Sequence, residues 1–149
     1  MPGPYIKQNA RGSLFEVGDG TANPDTVWLT IGGIKQFAFT NAETKHDTTS
    51  FASGGVEEQE VMQRGQGLKI DGFFLEDVAG VRDPGQALVE TAAFALGANS
   101  ILRGFRWTTP GGKKYFFKAS ATLGDQGGGN NDKITWSVTL TRSGPTTIT

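Results

Sequence analysis

The sequence predicts a mainly β chain: a sandwich or barrel-like pair of antiparallel sheets with one flanking α-helix. Three observations carry this. Residues 133–142 alternate strictly, with Ile134, Trp136, Val138 and Leu140 on one side and Thr135, Ser137, Thr139 and Thr141 on the other, the period of a half-buried strand. Glycine supplies 22 of the 149 residues and threonine is abundant, which favours turns and strands over helices. A single segment, opened by Asp83-Pro84-Gly85-Gln86, carries helix start signals.

Taken in order, residues 1–11 form an arm containing Pro, Gly, Asn and Arg, and residues 13–17 a short strand closed by Gly18-Asp19-Gly20. Gly32-Gly33 then reads as a two-residue hairpin turn, because glycine supplies the positive φ of type I′ and II′ turns. That register sets Ile31 against Ile34, Leu29 against Gln36 and Val27 against Ala38 on one face, and Trp28 against Phe37 and Thr26 against Phe39 on the other. Both faces are then apolar, although a two-layer sandwich needs only one apolar face per sheet. The second face calls for cover by the helix, a loop or another subunit.

Residues 41–60 show no apolar period and carry the run Glu57-Glu58-Gln59-Glu60, which predicts a long polar loop of the kind that is functional or disordered. Residues 68–75 follow as a strand. In the helix, Asp83 caps, Pro84 takes the first position and Gln86 completes a capping box. Leu88, Ala92, Ala95 and Leu96 form its buried stripe and Gly97 ends it. Strands at 101–108 and 113–123 are joined by Pro110-Gly111-Gly112, with Tyr115, Phe117, Ala119 and Ala121 in phase. A polar glycine loop at 124–132 leads to the alternating strand, and residues 143–149 make a polar tail. The chain reads as one domain, 1–149, without internal repeats.

Bulk properties exclude several function classes. The net charge of −1 gives no global pull toward nucleic acid or membrane. With no cysteine and one histidine, neither a disulfide frame nor the common zinc sites are available. No stretch approaches the ~20 apolar residues of a membrane span. The first residues lack the apolar run of a signal peptide, so a soluble protein made in a cytoplasm is expected. His46 beside Asp47 and near Ser50 sketches a hydrolytic arrangement, but a lone histidine in a polar segment is more often solvated. Asp125, Asn130, Asn131 and Asp132 lack the spacing of a calcium loop. Gly124 to Gly129 lies between strands rather than before a helix, which removes the phosphate-loop reading. No enzyme activity, cofactor or metal is expected.

Arg103-Gly104-Phe105-Arg106-Trp107 and Lys113-Lys114-Tyr115-Phe116-Phe117-Lys118 interleave bases and aromatics on paired strands. Single-stranded nucleic-acid binders stack bases on such platforms; the alternative is that the aromatics fill the core and the cations a solvated face or interface. A carbohydrate-binding sandwich using Trp28, Trp107 or Trp136 as a platform is the other reading from these residues.

The order of elements resembles the major tail protein, or tail tube protein, of long-tailed bacteriophages, siphophages in particular. The order is a strand, then Trp28-Leu29-Thr30-Ile31-Gly32-Gly33-Ile34, then a long polar segment with Asp47-Thr48-Thr49-Ser50-Phe51. A strand, a mid-chain helix and three more strands end in Trp136-Ser137-Val138-Thr139-Leu140-Thr141. That family is similar to type VI secretion tube proteins. The resemblance implies hexameric rings stacked into a hollow virion tail tube that conducts DNA into the host. It also implies partners among tail proteins (tape measure, tail tip, tail terminator) and no specific recognition of the DNA. By position it assigns contacts with the next ring to residues 41–60. Thr44, His46, Asp47, Thr48, Thr49, Ser50 and Phe51 are the candidates there, with Trp28 and Phe37 as further inter-subunit candidates. Thr135, Ser137, Thr139 and Thr141 are candidates for the lumen or, equally, for an outer solvent face.

Overall fold

The computed structural model describes residues 5–18, 26–96 and 102–149. Its strands are β1 (Leu14–Gly18), β2 (Trp28–Thr30), β3 (Ile34–Asp47), β4 (Gln59–Phe73), β5 (Leu102–Thr108), β6 (Lys114–Leu123), β7 (Thr135–Arg142) and β8 (Thr147–Ile148). The helix α1 spans Pro84–Phe94, and Ala10–Gly12 and Phe51–Ser53 form single 3-10 turns. The expected turn at Gly18-Asp19-Gly20, the helix stop at Gly97 and the strand start at Ile101 fall on or beside residues outside the described ones.

All pairings are antiparallel, in the order β2-β1-β5-β6-β7-β4-β3. The predicted hairpin is therefore corrected. β2 pairs with β1 and β3 pairs with β4, at opposite ends of the path, so none of the expected partners from Ile31–Ile34 to Thr26–Phe39 is a ladder pair. Gly33 does adopt the anticipated positive φ, 73°, but the bend carries the chain from one end of the sheet to the other. The sheet must curl for three residues to span its two ends. Phe15 on β1 meets Phe37 on β3 edge-to-face, with centroids 4.8 Å apart, where the curled ends face each other.

The inner faces follow the alternation of each strand. Phe15 and Val17, Phe105 and Phe117, Ala119 and Ala121, Trp136, Val138 and Leu140, and Leu68 and Ile70 form one buried cluster. Helix α1 packs on β6, β1 and β2 and adds Val89 and Ala92 to that core. The expected stripe is partly corrected: Ala92 is buried and Leu88 half-buried, but Val89 takes the central place and Leu96 is exposed. The helix turns its Gly85–Val89–Ala92 side inward, because glycine alone lets its first turn approach β2. A Cβ on Gly85 would run into the Thr30 carbonyl.

The helix start locks the sheet corner. Asp83 caps the Gln86 amide, as predicted, and also accepts from the Gly32 amide at 3.1 Å. Gln86, fully buried, does not reach back to complete the capping box. Its amide group donates to the carbonyls of Gly32 (2.9 Å) and Phe73 (2.8 Å), and its oxygen accepts from the Leu75 amide (3.1 Å). One side chain thus satisfies three backbone groups that would otherwise be buried without partners.

Two further expectations are corrected. Residues 41–60 are mostly a hairpin arm, not a loop: Asn41 pairs with Gln66 and Asp47 with Gln59, around a bulge at Thr44/Lys45. Past Gly67, the last β4 residue paired with β7, this ladder has no other strand neighbour among the described residues, so the arm projects roughly 23 Å beyond β7 at strand rise. Its residues are exposed on both faces, which is why no apolar period marks it. The C-terminal tail is also structured: Ile148 pairs with Tyr115 and Thr147 with Phe116, extending the edge of β6 past β7.

Candidate assembly interface

The arm holds most of the sequence candidates. Thr44 and His46 lie on its β3 side, opposite Gln63 and Glu60. Its tip is a tight polar structure. The Thr48 amide donates to the Glu58 carbonyl at 3.0 Å, the Thr49 hydroxyl bridges the carbonyl and amide of Glu58, and Ser50 and Ser53 cap each other around the 3-10 turn. The Thr49 hydroxyl, and then its amide at 2.9 Å, hold the Asp47 carboxyl below its ordinary value of 3.8 by favouring the charged form. Phe51 closes this tip fully exposed, with Val56 beside it also exposed. The tip is thus hydrogen-bonded internally and leaves a large aromatic ring in solvent, where its burial would be favourable. Asn41 to Gln66 carry five carboxylates and two cations, a net charge of −3 with His46 neutral, so the rest of the chain is +2.

Trp28 and Phe37 are separated by the corrected topology. Phe37 faces the core, in contact with Phe15, Phe39 and Trp107, and is no exposed interface residue. Trp28 lies on the outer face, over Arg106, whose Cζ is 4.6 Å from the indole centroid; Phe116 meets the same indole edge-to-face at 5.6 Å. Beneath them Arg106 grips Glu16 with a bidentate pair at 3.0 and 2.6 Å. The Arg106 guanidinium is thus committed to a carboxylate and two rings. No local sequence signal reveals this pair, because its members are 90 residues apart. It also weakens the nucleic-acid reading: Phe105 and Phe117 are core and Arg106 is paired. The carbohydrate platform fares no better. Trp136 is buried with its Nε1–H donating to Glu90 at 3.0 Å, and Trp28 covers Arg106.

On β7, Thr135, Thr139 and Thr141 are exposed and Ser137 half-buried. The outer row continues sideways through Thr122 and Lys69, which flank Thr139, and Ser120, which flanks Thr141. This stretch of the outer face is polar, with the exposed Phe73 beside Thr135 and the Trp28–Phe116 pair farther along the same face.

A third surface was not anticipated from sequence. At the end of the sandwich from which the arm leaves, Phe39, Trp107, Tyr115, Phe117, Arg142 and Ile148 line an open cleft of about 320 Å³. The structured tail creates its wall through Ile148. Among the described residues the buried Trp107 Nε1–H has no acceptor.

No family model and no curated protein matches the sequence. Solved structures match its fold across nearly the whole chain. A chain from the tail of an empty gene transfer agent particle, refined with C6 symmetry, superposes with TM-score 0.69 at 16% identity, covering 96% of this chain and 99% of that one. A chain of the SPP1 tail tube gives 0.68 at 9% identity, covering 95% and 78%. A chain of the sheath–tube complex of an extracellular contractile injection system gives 0.57 at 11% identity, covering 96% and 91%. The chain has the fold of tail-tube proteins, mostly antiparallel β-sheet with one helix.

Proposed function

We propose that this protein is a structural subunit of a phage-type tail tube, assembled as stacked hexameric rings in a virion tail. The observation that carries the reading is the arm. The fold is that of tube proteins over nearly the whole chain, and 26 of its residues, 41–66, form a mostly exposed hairpin that bonds the body at its base, where Gln66 accepts from Arg142. Such a segment is explained by contacts with other copies. Among the described residues the outer edges of β2 and β3 have no ladder partner, which gives the same argument, since unpaired strand edges invite pairing with another chain.

The lumen of such a tube carries DNA without recognising it. A polar wall suits this, because every lysine or arginine on it is multiplied around the ring and would hold phosphate. The β7 row Thr135, Ser137, Thr139 and Thr141 is the proposed wall, with Lys69 its nearest cation in register. Tape measure, tail tip and terminator proteins are the expected partners, and no chemistry is performed. Electron micrographs of the purified protein at high concentration test the proposal. Rings or tubes are expected; monomers at every concentration, with tail tips added as seeds, would overturn it.

A further inference from the structure

The arm tip and the end cleft are complementary. The tip presents an exposed aromatic ring, Phe51, next to Glu57 and Glu58, with Asp47 and Glu60 just behind. The cleft is an aromatic hollow with room for one such ring, and its rim is basic. Arg142 lines it, and Lys113 is exposed just before β6, two residues before Tyr115. Among the described residues, neither these cations nor Asp47, Glu57, Glu58 and Glu60 take part in an ion pair; the arm's own pairs join Glu43 to Lys45 and Arg64. A chain cannot fill its own cleft. β3 runs eight residues from Phe39 in the cleft wall to Asp47, about 26 Å at strand rise, and Phe51 lies beyond its end.

Resting on the tube reading above, we infer that the cleft receives Phe51 of a second copy, and that this copy is the neighbour around the ring. The direction follows from polarity. Arm and cleft sit at the same end of the sandwich, because β3 enters the arm from Phe39 and β4 leaves it at Gln66. Copies in a ring, and rings stacked head to tail, all point that end the same way. An arm reaching straight ahead meets the opposite end of the next ring, where Val78 is exposed in the turn after Phe73. To reach a cleft it must lean sideways. The contact buries apolar surface at its centre and pairs carboxylates with cations at its rim.

The absence of cysteine makes cross-linking unambiguous. Assembled F51C/I148C protein, oxidised and run without reductant, is expected to give a ladder of linked subunits, and Phe51→Ala to raise the threshold concentration for assembly roughly tenfold or more, as for a central anchor. A ladder from F51C/V78C instead, or tubes in which F51C/I148C stays unlinked, overturns the cleft contact while leaving the tube reading intact. Monomers in micrographs of both double variants and of the parent chain overturn both.

Discussion

The sandwich body and the arm are two extremes of one chain. In the body, buried groups find their partners inside the molecule: Gln86 satisfies Gly32, Phe73 and Leu75, Glu90 holds both Arg82 and the Trp136 indole, and Glu16 holds Arg106. In the arm, the same antiparallel ladder runs on with no core beneath it, held by backbone bonds and exposed polar pairs. The contrast separates two purposes. If the arm serves assembly as proposed above, substitutions in the body should fail in folding assays and those in the arm in assembly assays.

The largest effect is expected at Trp136. Trp136→Ala removes a buried indole and one of the two donors to Glu90, costing about 3–5 kcal/mol in urea unfolding. An equal loss from Phe51→Ala would erase the distinction between body and arm. Gln86→Ala strands three backbone groups at the sheet corner and should cost about 2–3 kcal/mol; a loss under ~0.5 kcal/mol would mean the corner holds without that lock. Arg64→Ala removes an exposed pair with Glu43, and its cost should stay within about 0.2–1 kcal/mol. The smallest effect concerns acid. Because the Asp47 carboxyl lies below its ordinary value, its tie to Thr49 is fully present at neutral pH and is lost only as pH falls through the lowered value. In an NMR titration the Thr49 amide shift should therefore move in the acid range below 3.8, and a midpoint above that value would reverse the sign.

The legibility of each region in the sequence follows the same divide. β1, β5, β6 and β7 and the start of α1 are readable, because burial on one face writes an apolar period and Asp83-Pro84 writes a cap. The arm is not, since strands wet on both sides leave no contrast for periodicity to report. Gly32-Gly33 shows a second limit. Positive φ at Gly33 is legible, but whether a tight bend joins neighbouring strands or opposite sheet ends depends on Gly85 and Gln86, more than fifty residues away. Gln86 itself matches a capping box locally and is claimed by a tertiary site with more groups to satisfy. The cleft depends on β8, two residues long, which no pattern marks.

The bend at Gly32-Gly33 also has a kinetic consequence. Neighbours in sequence there belong to opposite margins of the sheet, and the ladders that unite those margins join distant segments, as Glu16 with Arg106 and Leu68 with Leu140. Neither margin can settle until the middle strands have been made, by which point most of the chain has emerged. Refolding should then be slow, in the millisecond-to-second range of non-local β topologies, and a nascent chain stopped before β5 would lack the strand that joins β1 to the middle of the sheet.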